Sequence, residues 1–104
     1  MRVSMKEFEE LVQAAVERIP KQFRPYLTNT MIIVEESSAD GLMGLYEGAG
    51  ALGSGDGYPE RITLYKRSHE RATRTMNDLI EEIRRTLLHE VGHHFGMEEE
   101  ELPF

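Results

Sequence analysis

The chain has 104 residues, 39% of them hydrophobic and 30% charged, the composition of a folded globular chain rather than a disordered or fibrous one. That length suits one domain over residues 1–104, and a formal net charge of -7 argues against nucleic acid and anionic membrane as partners. With no cysteine, disulfides, thiolate metal sites and cysteine nucleophiles are excluded, so any metal must be held by imidazole and carboxylate.

Ser4 and Glu7 have the form of a capping box, and Phe8, Leu11, Val12, Ala15 and Ile19 follow at helical spacing until Pro20. The pattern predicts an amphipathic helix over Met5 to Ile19. The stretch from Pro20 to Asn29 is turn-rich, and Met31 to Val34 is a short apolar run that predicts a buried strand. Seven glycines between Gly41 and Gly57 predict a long loop, with a short strand at Leu42 to Tyr46.

In Arg61 to Tyr65 the alternation sets Ile62 and Leu64 on one face of a second strand. Thr75 and Asp78 cap a last helix, and Met76, Leu79, Ile80, Ile83, Leu87, Val91 and Phe95 carry its apolar stripe to Gly96. The expected fold is a small α+β domain in which the long C-terminal helix covers a sheet. No apolar run approaches membrane-spanning length and the first residues carry no export signal, so the expected location is cytoplasmic.

His89-Glu90-Val91-Gly92-His93 matches H-E-x-x-H. Residues four apart lie one above the other on a helix, so two imidazoles can reach one ion, and zinc accepts neutral imidazole nitrogen without imposing a d-electron geometry. Glu90 is rotated to the side of the pair, where a carboxylate acts as general base on a water beside the metal. On a helical wheel the two histidines sit on the flank of the apolar stripe, facing a cleft.

A catalytic zinc usually takes a third protein ligand. His89-Glu90-x-x-His93-x-x-Gly96-x-x-Glu99 follows the metzincin spacing, in which a glycine turns the chain back, and it predicts Glu99 as that ligand. Metzincins usually carry histidine there, which leaves Glu98, Glu100 and Glu101 as alternatives, and a solvated acidic tail as the plainer reading. His94 falls within the apolar stripe and is read as a buried core histidine, and His69, standing alone, as a surface one. Tyr46 or Tyr58 could offer a hydroxyl to an oxyanion, although packing is the simpler role. Gly48 to Gly53 formally matches G-x-G-x-x-G, but the residues after it cannot open a helix, so nucleotide binding is rejected.

The segments Gly44 to Gly48, Pro59 to Tyr65 and His89 to Leu102 resemble the bacterial minimal zincin-like metallopeptidase family, over nearly the whole chain. The resemblance implies a zincin-like α+β fold, zinc at His89 and His93, Glu90 as the catalytic residue and a peptidase activity, but not a particular substrate; a short mixed sheet and a peptide or protein substrate are the expectations that go with it. The alternative is a non-catalytic zinc-binding domain that serves as a peptide- or protein-interaction module.

Overall fold

The structure is a computed structural model that describes residues 1–48, 60–97, 100 and 102. Helix α1 (Met5–Glu17) starts where predicted, with Ser4 Oγ accepting from Glu7 N and Glu7 Oε1 accepting from Ser4 N. It stops short of Ile19 because the residue before a proline avoids the helical region. The turn-rich stretch that follows holds a 3-10 helix, Lys21–Tyr26, with Pro25 inside it.

Strands β1 (Thr30–Glu35), β2 (Gly44–Glu47) and β3 (Glu60–Tyr65) form one sheet in the order β1-β3-β2. Strand β1 runs parallel to β3, with Ile32 opposite Ile62, and β2 antiparallel to it, with Tyr46 also opposite Ile62. Two helices follow, α2 (Lys66–Ala72) and α3 (Met76–His94). This is a small α+β fold with a mixed sheet and a long last helix.

Ile62 and Leu64 are fully buried, as their alternation predicted, and share one core with Phe8, Val12 and Ala15 of α1 and Leu79, Ile83, Leu87 and Val91 of α3. The expectation of a buried strand at Met31 to Val34 needs correction. Strand β1 lies at the sheet edge, where Ile32, Ile33 and Val34 are half-buried and Met31 is exposed. Among the described residues, no helix is long and apolar enough to cross a membrane.

Helix α2 had no apolar periodicity by which to be recognised, and its buried side chains are polar: Lys66, His69 and Glu70. Lys66 Nζ donates to the Val3 carbonyl at 2.9 Å and pairs with Glu70 Oε2 at 3.3 Å, and Glu70 Oε2 also accepts from Val3 N at 2.8 Å. Burial alone would raise the Glu70 carboxyl, but the Val3 amide, Lys66 and the charge of Arg2 hold it below the usual range.

His69, expected on the surface, is completely buried. Its Nδ1 donates to the Tyr65 carbonyl at 2.8 Å, Nε2 pairs with Thr86 Oγ1 at 2.9 Å, and the ring packs 5.7 Å from that of Phe8. Burial lowers its pKa, against the opposing pull of the Tyr65 carbonyl and the Glu82 charge.

Candidate metal centre

Helix α3 opens on Thr75, whose Oγ1 accepts from Asp78 N at 3.0 Å, and its apolar residues face the core. That rotation leaves His89 half-buried and His93 exposed, off the core face. One turn apart, their rings approach to 4.6 Å between centroids with a 40° tilt. The predicted spacing thus places two imidazoles side by side.

Glu90 points toward β2, where its Oε1 accepts from Tyr46 N at 3.0 Å. That amide faces the outer edge of the sheet: in the antiparallel pairing Tyr65 N bonds the Met43 carbonyl, so alternate β2 residues bond β3 and Tyr46 does not. The approach is close because residue 44 is glycine. A Cβ there would lie 2.8 Å from Thr86 Cγ2, 3.2 Å from the Thr63 carbonyl oxygen and 3.4 Å from Glu90 Cγ.

The helix ends in a Schellman turn. Gly96 adopts φ +67°, its N–H donates to the His93 carbonyl at 3.3 Å, and Met97 N donates to the Gly92 carbonyl at 2.7 Å. Leu102 is buried against this helix, where a Cβ on Gly92 would meet Leu102 Cδ1 at 2.8 Å. Glu98, Glu99 and Glu101 lie outside the described residues, as does Tyr58, while Glu100 is exposed. Among the described residues no three His, Asp or Glu side chains converge. The two paired imidazoles, with a carboxylate on the adjacent residue, are donors of the kind zinc takes.

His94 is not the core residue expected. It is half-buried, stacks on Tyr46 at 3.9 Å with 13° between the ring planes, and sets Nε2 3.6 Å from Glu60 Oε2. The apolar stripe meets the end of the sheet there, not the interior. Phe95 meets Tyr26 at 4.8 Å and Tyr46 edge-on at 6.4 Å. The Tyr46 hydroxyl is buried without a well-formed hydrogen bond among the described residues. Burial raises its pKa, Thr30 opposes this, and Glu60 adds to it.

Two contributors lay beyond the reach of sequence patterns, the Tyr46 main-chain amide and the missing Cβ of Gly44. Neither has a side-chain signature, although both lie in the Gly44 to Gly48 segment that carries the family resemblance.

A family model described as zincin-like metallopeptidase matches residues 12–103. A solved structure described as a conserved hypothetical protein from Thermo thermophilus is 28% identical, with a TM-score of 0.62 over 89% of this chain and 94% of that one. No curated protein matches the chain. The match over residues 12–103 spans most of the sequence, and the chain belongs to the zincin-like metallopeptidase family.

Proposed function

We propose that this chain is a zinc-dependent peptidase that hydrolyses peptide bonds in a peptide or protein substrate, with Glu90 as general base. His89 and His93 would hold the metal, with Glu99 as the third donor. Bound there, zinc would supply Lewis acidity toward the substrate carbonyl and the attacking water.

Everything else falls to the chain itself. Glu90 takes the proton of the attacking water and delivers it to the leaving nitrogen. The Tyr46 amide fixes Oε1, so Oε2 is the oxygen that carries the proton. With His93 exposed and His89 half-buried, this flank as the described residues form it is open to an extended peptide. The net charge of -7 disfavours polyanionic substrates.

The observation that carries the reading is a carboxylate held by a main-chain amide beside two imidazoles one turn apart. The test compares wild type, Glu90→Gln and His93→Ala for zinc content and for cleavage of a diverse peptide library. Glu90→Gln should keep zinc and lose roughly 10²- to 10⁴-fold in turnover, and His93→Ala should lose the metal. A wild-type chain loaded with one zinc that cleaves nothing, and is unchanged by Glu90→Gln, would make this a binding module.

A further inference from the structure

A cleft of about 340 Å³ opens where the C-terminal end of α3 meets the end of the sheet, walled by Tyr26, Tyr46, Glu60, His94 and Phe95. It adjoins the candidate centre, since His94 follows His93 directly and the main chain of Tyr46 holds Glu90. Nothing in the hydrolytic step uses it.

Three features give the cleft one electrostatic sign. Glu60 is the carboxylate of its wall, 3.6 Å from His94 Nε2, and among the described residues no lysine or arginine lines the cleft. The cleft meets α3 at its C-terminal end, where the helix dipole is negative. Its aromatic walls are close-set, with Tyr26 and Phe95 at 4.8 Å and Tyr46 edge-on to Phe95 at 6.4 Å, and aromatic faces attract cations. Phe95 stands 45% exposed at this end of the helix, a large apolar ring left in solvent. The volume is at the low end for ligand sites, suited to one long side chain rather than a whole small molecule.

We propose that this cleft receives a basic side chain of a bound peptide, arginine before lysine, and so sets the sequence preference of the neighbouring centre. A planar guanidinium can stack on the rings while its N–H groups reach Glu60, and it sheds water more readily than an ammonium. The inference rests on the peptidase reading for what delivers the side chain, but the recognition itself needs no catalysis.

The test is therefore binding to the full chain, followed through the ring signals of Tyr46, His94 and Phe95 by NMR. The probes are the Nα-acetyl methylamides of arginine, lysine and citrulline, citrulline being the neutral isostere of arginine. Arginine should shift these rings and bind at least about tenfold more tightly than citrulline, a difference of roughly 1.4 kcal/mol, with lysine between. Glu60→Gln should erase the preference while leaving citrulline unchanged, and Phe95→Ala, at an exposed position, should weaken arginine if Glu60→Gln does not fold. Equal affinity for arginine and citrulline, or shifts confined to other residues, overturns the proposal. Cleavage by the zinc-loaded chain separates the two readings: binding of arginine with no peptide cleaved removes the peptidase and keeps the cleft, whereas cleavage indifferent to basic residues removes the cleft and keeps the peptidase.

Discussion

The Tyr46 amide and the Glu90 carboxylate, 44 positions apart in sequence, meet in a 3.0 Å hydrogen bond that ties the edge of the sheet to the motif helix. An edge amide would otherwise face water, and the glutamate side chain would otherwise sample several rotamers. A hydrogen bond to a charged group is worth about 1.5–3 kcal/mol, enough to select one orientation.

Removing the acceptor should therefore be visible at the donor. In Glu90→Ala the Tyr46 amide should exchange with solvent roughly tenfold faster or more, from the loss of about 1.4 kcal/mol or more, while Leu45 and Glu47, whose amides face β3, hold their protection. Hydrogen exchange followed by NMR reads this directly. Gly44→Val should produce the same acceleration with Glu90 intact, because its side chain would push Thr86 and Glu90 away from the strand. An unchanged Tyr46 amide in both variants would mean that the bond does not persist in solution.

The packing of Leu102 on α3 can be tested apart from the metal. Leu102 packs on Gly92 and is 8% exposed, so Leu102→Ala should cost about 2–3 kcal/mol. Gly96→Ala should cost about 1–2 kcal/mol purely through its φ of +67°, since nothing lies within 4 Å of a Cβ placed there. Chemical denaturation measures both.

Zinc affinity discriminates among the tail carboxylates. Glu99→Ala should weaken zinc binding far more than Glu101→Ala, measured by calorimetric titration, since the spacing after the Gly96 turn favours the former. Equal affinity and stoichiometry in both variants would move the third ligand to another residue.

His69 predicts a pH dependence of stability. Burial depresses its folded pKa below the ordinary 6.5, so the unfolded chain binds the proton more readily. Stability is therefore full above about pH 6.5 and falls as the pH drops toward the lowered folded value. His69→Gln should be less stable at pH 7, by about 1–3 kcal/mol for disturbed buried hydrogen bonds, but with a flatter profile between pH 7 and 5. The Glu70 contribution, lost only below the ordinary carboxyl value of 4.5, lies outside that window. Thermal denaturation across that range is the measurement.

Buried charge supplies one more check. Lys66 and Glu70 are each 8% exposed in their side chains, so Lys66→Met would leave the Glu70 carboxylate on the Val3 amide without its ammonium partner and should cost about 3–5 kcal/mol, whereas the exposed Arg18–Glu81 pair should contribute no more than about 1 kcal/mol. Parallel denaturation of Lys66→Met and Arg18→Met would show whether the difference holds.

Local periodicity was enough to read α1, β3 and α3, because each buries one face in the common core and repeats its apolar residues at the period of its backbone. The same periodicity turns His89 and His93 away from that core. The apolar run of β1 does not distinguish an edge strand from a central one, because it carries no record of whether a neighbour lies on both sides or one. Helix α2 and the burial of His69 stayed hidden because their partners, Val3, Tyr65 and Thr86, are polar groups brought in from other elements. Likewise the amide of Tyr46 reaches Glu90 only because β2 is an edge strand with its alternate N–H groups turned outward. Hydrophobic pattern is written residue by residue along a chain, whereas hydrogen bonds between distant segments exist only once packing has set those segments at bonding distance.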